Sequence, residues 1–143
     1  MEMAAVEKIL GGKKALQMGL NNRMDFVTLS DRGVSKGSLL HLAKFFNISV
    51  HELAKILPVT ERTIQRYTAK KRLSPVVSEH VLEIAEVAAR GVSVFGEKEK
   101  FLQWLNLPCR ALGDKTPMSL LASRFGAEMV LDELGRIEHG VLS

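Results

Sequence analysis

The 143-residue chain has one cysteine, Cys109, so no internal disulfide can form and nothing points to an oxidising compartment. It has no apolar run of about 18 residues, which excludes a membrane-spanning helix. The opening stretch from Met1 to Glu7 lacks the basic start and apolar run of a secretory leader, and the cytoplasm is the expected location. Histidine is scarce and scattered: His41, His51, His80 and His139 show no metal-ligand spacing with a cysteine or carboxylate partner, so no metal or cofactor is expected. Cys109 precedes Arg110 but has no histidine placed by sequence to act as its base, and it reads as an inert thiol. Gly11-Gly12-Lys13-Lys14 lacks the spacing and the preceding strand of a phosphate-binding loop. Catalysis by this chain is not expected.

What is present is ordinary in amount and uneven in distribution. The chain is 46% apolar and 25% charged, which excludes a wholly disordered chain, a collagen-like repeat and a coiled-coil rod. The net charge of +4 hides an asymmetry. Residues 1–72 carry 13 basic and 6 acidic side chains; residues 73–143 carry 7 and 10. A half at +7 followed by a half at −3 suggests two different partners.

The apolar pattern is helical, with no strand alternation longer than a few residues, and the expected fold class is all-α. Residues 1–34 show little patterning. Val6, Ile9 and Leu10 have helical spacing, Gly11-Gly12 interrupts it, and Phe26 to Leu29 reads as a short extended piece. This stretch is expected to be an N-terminal arm. From Ser35 the signal sharpens. Leu39, Leu40, Leu42, Ala43, Phe45 and Phe46 form a stripe, with Ser35 or Ser38 as cap and Asn47 as stop. A helix over 50–57 ends at Pro58, and a third runs from the Thr60 cap to about Lys70. Beyond the break at Ser74-Pro75, a helix entered through Ser78 closes at Phe95-Gly96, and another spans 97–105. Thr116-Pro117 starts a short helix, and Gly126 separates it from a last helix ending at Gly140.

Residues 50–67 carry a helix-turn-helix spacing. Ala54 is the small residue at the crossing, and Leu53, Leu57, Val59, Ile64 and Tyr67 occupy the inward positions. At about 100° per residue, Arg62, Gln65 and Arg66 share the face opposite Ile64 and Tyr67. Arginine can grip a guanine edge with two hydrogen bonds, and glutamine an adenine edge. Thr60 and Thr63 stand at the start of the same helix, and Lys70, Lys71 and Arg72 follow it, suited to phosphates. The simpler alternative is an ordinary helix pair with a solvated basic face. Pro58 also stands where such turns usually carry glycine.

The second half contains Val94-Phe95-Gly96, then Trp104-Leu105 with Pro108, Leu112, Gly113 and Pro117 at fixed intervals, then Leu134-Gly135-Arg136-Ile137-Glu138-His139-Gly140. Over roughly residues 81–141 this resembles the MbcA/ParS/Xre antitoxin family, and the upstream helix-turn-helix of Xre type fits it. The resemblance implies an antitoxin whose C-terminal domain docks on a RES-domain toxin that degrades NAD⁺, covering the entrance to its active site. It also implies that the N-terminal domain binds double-stranded operator DNA, normally as a homodimer, and represses its own synthesis. On that basis 1–34 is an extension, 35–75 the DNA-binding domain and 76–143 the toxin-neutralising domain. The expected toxin contacts are Trp104 and the end of the chain, namely Arg136, Glu138, His139, Gly140, Val141 and Leu142. Each has a plainer reading: Trp104 as a core aromatic, and the last turn as a frayed, solvated helix end. Two other functions stay open. One is a stand-alone transcriptional regulator whose C-terminal half only dimerises. The other is an interaction protein with a degenerate helix-turn-helix.

Overall fold

The computed structural model describes residues 3–140. Ten α-helices follow one another, with no strand among the described residues. They are α1 (Met3–Ile9), α2 (Gly12–Leu16), α3 (Arg23–Arg32), α4 (Lys36–Phe46) and α5 (Val50–Ala54). Then come α6 (Glu61–Arg66), α7 (Pro75–Phe95), α8 (Lys98–Leu105), α9 (Pro117–Leu120) and α10 (Arg124–Glu138). A 3-10 turn at Arg110–Leu112 interrupts the α8–α9 connection.

The 21-residue helix α7 is the spine. It starts at Pro75, whose fixed φ suits the first helical position, with the Ser74 side chain accepting from Val77 N. Ser78, expected as its cap, lies inside the helix instead. It is buried, accepts a hydrogen bond from Val34 N at 2.8 Å and donates to Leu73 O. That satisfies polar groups which would otherwise be orphaned in the core. Buried residues follow one another round most of the circumference of α7, because α1, α3, α8 and α10 all pack on it.

The N-terminal segment is not an arm. Residues 3–32 form three helices, and Phe26 to Leu29 is helical rather than extended. Met3, Val6, Leu10, Leu16, Leu20 and Leu29 are buried in the same core as the rest of the chain. The pattern was hard to read because α1 and α2 are only seven and five residues long and the apolar contacts are spread over both. Helices of one to two turns give too few repeats for the apolar spacing to stand out over the window of about 11–18 residues that periodicity needs. Asn22 and Asp25 form a reciprocal capping box at the start of α3, which fixes the entry of that helix locally.

Elsewhere the expected boundaries stand with adjustments. Ser35 caps α4 and Asn47 ends it in the left-handed conformation, φ 57°. Glu97 leads into α8, and Thr116-Pro117 opens α9. Gly126 does not separate two helices. It lies in the first turn of α10, and its missing side chain lets the backbone of Leu120 pass where a Cβ would stand.

Candidate nucleic-acid and protein interfaces

The helix pair α5–α6 is built from local signals. Ser49 and Glu52 form a capping box that starts α5. Thr60 starts α6: its hydroxyl accepts from Thr63 N at 3.1 Å and donates to Thr63 Oγ1 at 2.8 Å. Both hydroxyls are therefore occupied with each other at the helix start. Leu53, Leu57 and Ile64 are buried between the two helices and α4, while Ala54, Val59 and Tyr67 are half-buried at the edge of that contact. α5 ends at Ala54, and a turn over 55–58 carries the chain past the exposed Pro58.

α6 ends earlier than the spacing predicts, at Arg66 rather than near Lys70. The cause lies in the loop that follows. Lys36 N donates to Lys71 O and Gly37 N to Ala69 O, each at 2.9 Å, and Leu73 N donates to Val34 O at 2.8 Å. The Lys36 ammonium also donates to Tyr67 O at 2.7 Å. Residues 67–73 are thus tied to the α3–α4 junction through a turn, closed by Lys71 N donating to Thr68 O at 3.0 Å, and a lone bridge between Arg72 and Ser35, and this course competes with further helix.

The basic face is nevertheless assembled. Arg62, Gln65 and Arg66 are exposed on α6, and Lys70 and Lys71 are exposed just beyond it. Among the described residues neither Arg62 nor Arg66 has an ion-pair partner. Two residues are more engaged than expected. Gln65 Nε2 donates to Glu61 Oε2 at 3.2 Å, and Arg72 is drawn inward to Gln17 and to Gly33 O. The other Glu61 oxygen lies 2.8 Å from His51 Nδ1, so one carboxylate holds both helices of the pair.

Trp104 is half-buried in an aromatic cluster, its ring centroid 5.6 Å from Phe95 and 6.4 Å from Phe101. It seals the α7–α8 corner and still shows an edge. The end of α10 lies beside α7 further along, where Glu138 pairs with Arg90. Arg136 is bound within its own helix by Glu133, Nε and one terminal nitrogen both 2.8 Å from the same oxygen. Arg136 and Glu138 are therefore partnered in the chain, whereas the exposed His139 side chain has no partner among the described residues. Gly140 takes φ +70°. Val141 and Leu142 lie outside the described residues.

The strongest exposed apolar feature of this half lies outside the residues that the sequence motifs single out. On α10, Phe125 is 82% exposed and Met129 45% exposed. With Asp132 and Arg136 they follow at spacings of four, three and four, one stripe facing away from the buried Ala127, Val130 and Leu134. The signal was present, but periodicity alone assigned these two residues to no face. Arg124 pins the first turn of α10 to α7 through Glu79 and Glu83, so Phe125 projects from a fixed base. Burial raises the pKa of the Glu83 carboxyl, and Arg124 and His80 beside it only partly offset that. One Glu83 oxygen is buried with no hydrogen-bond partner among the described residues. Among the described residues no group of histidine, cysteine or acidic side chains is arranged to hold a metal ion, and no helix is long and apolar enough to cross a membrane.

Comparison with known proteins finds the same two parts. Residues 25–86 match the model of the antitoxin Xre-like helix-turn-helix domain, and residues 90–140 match that of the antitoxin Xre/MbcA/ParS C-terminal toxin-binding domain. An antitoxin Xre of Yersinia enterocolitica serotype O:8 / biotype 1B is 35% identical over 94 residues, 64% of this chain and 64% of that protein. One of Photorhabdus laumondii subsp. laumondii is 36% identical over 80 residues, 55% of this chain and 54% of its own length. The matches span less than two thirds of each relative. With a helix-turn-helix domain leading directly into the toxin-binding type of C-terminal domain on an all-helical framework, the chain belongs to the Xre/MbcA/ParS antitoxin family.

Proposed function

We propose that this chain is the antitoxin of a two-protein module, neutralising a RES-domain, NAD-degrading toxin by occlusion and repressing its own operon through α6. The observation that carries the reading is the junction, in one chain, of a helix-turn-helix domain with a C-terminal domain of the toxin-binding type. In this reading the chain acts by contact, without catalysis, in the cytoplasm. Residues 35–75 meet the DNA and residues 76–143 meet the toxin.

For DNA, Arg62 and Arg66 read base edges, with Gln65 joining them once Glu61 releases it. Lys70 and Lys71 line the phosphates; Thr63 can donate its remaining hydroxyl proton beside Thr60, and Arg72 joins them by exchanging its contacts with Gln17 and Gly33 O. A homodimer would present two such helices to paired half-sites. For the toxin, Phe125 and Met129 form the apolar anchor, because a large aromatic on a rigid helix loses little entropy on burial. The end of the chain from Arg136 to Leu142 enters the cleft, and the exposed edge of Trp104 contributes at the rim. Arg136 must exchange its contact with Glu133 for one across the interface, which makes it a weaker anchor than Phe125.

Co-expression with the RES-domain protein of the adjacent gene tests this directly. Rescue of growth, co-purification as one complex and a promoter mobility shift are expected. Absence of a complex with the toxin would overturn the antitoxin reading. A complex without a mobility shift would overturn only the repressor part.

A further inference from the structure

Helices α1, α4, α7 and α8 leave between them a groove of about 720 Å³, inside the roughly 300–1,000 Å³ range of small-ligand sites. Its floor is apolar, formed by Ile9, Phe45, Ala89 and Val92. Its rim is cationic. Lys8 and Lys44 stand in the last turns of α1 and α4, Lys98 begins α8, and His41 lies beside them. No residue lining the groove is acidic, and among the described residues none of the three lysines forms an ion pair. Lys98 Nζ lies 5.0 Å from the centroid of the Phe45 ring, so one cation already leans over the floor. Glu7, the carboxylate next to Lys8 in the sequence, is occupied elsewhere, accepting from Leu20 N at 2.8 Å.

Three ammonium groups round one opening repel each other, and an anion seated among them relieves that repulsion. An apolar body attached to the anion removes the floor from water. Neither demand alone selects the ligand; together they ask for one molecule with a charged head and an apolar chain. We infer that this groove is a binding site for an amphipathic anion, one small molecule with an apolar chain on the floor and an anionic head among the lysines. The site is lined by neither α6 nor α10. Its occupant would touch α4, which packs behind the helix-turn-helix, and α8, which carries Trp104, at the same time.

Decanoate titrated calorimetrically into the full chain tests the site, with decanol as the uncharged control. One saturable site for decanoate is expected, with decanol about tenfold weaker or worse. Lys8 and Lys44 are exposed, so the double variant Lys8→Glu/Lys44→Glu is expected to keep its helical circular dichroism while losing at least about tenfold in decanoate affinity. Ser93→Trp, placed from an exposed position on the lining, is expected to block the groove sterically and abolish binding. No saturable binding to the wild type overturns the inference. So does equal affinity for decanol, or undiminished affinity in the charge-reversed chain.

Discussion

Gly91 of α7 lies directly beneath the ring of Phe101 of α8, so close that a Cβ at position 91 would stand within the ring's own volume. Both residues are buried, and Phe101 is fully so, wedged beside Phe95 and Trp104. The corner between the two helices therefore depends on a missing side chain. Gly91→Ala should gain about 1 kcal/mol of helix propensity, yet overpacking of a closed core typically costs ~1–3 kcal/mol. A net loss of stability in urea unfolding is expected, with broadened Trp104 fluorescence changes at the corner. An unchanged or raised midpoint would show that Phe101 can move aside.

Arg66→Ala should weaken operator binding by about 1–3 kcal/mol if Arg66 grips a base edge. The expected signature is relaxed discrimination between operator and a single-base mismatch at the contacted position. Lys71→Ala should instead weaken all sequences alike and shallow the salt dependence by about one counterion. Fluorescence anisotropy across a salt series separates the two. A flat salt response for the wild type would contradict a basic segment lying on phosphates.

Phe125→Ser should cost toxin affinity at least ~2 kcal/mol if the ring is a central anchor. The fold should stay intact, because the ring contributes almost nothing to the core. Calorimetry on the purified pair measures the first and the thermal midpoint of the free chain checks the second. Removal of residues 139–143 is expected to abolish rescue of toxin-expressing cells while leaving operator binding intact. Full rescue by the truncated chain would refute entry of the tail into the cleft.

Glu83 predicts a pH effect of definite sign. Burial raises its carboxyl pKa above the ordinary 4.5 in the folded chain. The native state then holds this proton more tightly than the unfolded state does. Its contribution is fully present below the unfolded value and is lost as pH rises through the folded value. Glu83→Gln should therefore raise stability at neutral pH relative to wild type, and the gain should vanish on acidification. Chemical unfolding at a series of pH values checks this. A variant less stable than wild type at neutral pH would mean that attraction to Arg124 outweighs desolvation.

The sequence was most legible where one residue type satisfies a local need. Ser35, Thr60 and Thr116 were readable as caps, and Asn47 and Gly96 as stops, because each acts on backbone groups only a few residues away. The apolar spacing of α5–α6 was readable for the same reason. What escaped depends on distant partners. α6 stops at Arg66 because residues 69–73 bond to residues 33–37, a pairing with no local trace. The first 34 residues look unpatterned because α1 and α2 are short, and because α3 buries only Leu29 while its Met24 and Val27 face solvent and blur the stripe. At the candidate protein interface, the family motif drew attention to Arg136 and Glu138, which prove to be partnered within the chain. The exposed Phe125 was passed over, since exposure is a property of the assembled fold.

The spine helix carries a consequence for how such proteins change over generations. The match to the helix-turn-helix domain ends at Glu86 and the match to the C-terminal domain begins at Arg90, both inside α7. A single residue inserted between them would turn everything downstream by about 100° and advance it by about 1.5 Å. Such a shift would carry Phe101, Trp104 and α10 off the faces they occupy. Exchange of the C-terminal half between relatives should therefore succeed only when the helical phase of α7 is kept, so a new toxin specificity is inherited together with a fixed count of residues.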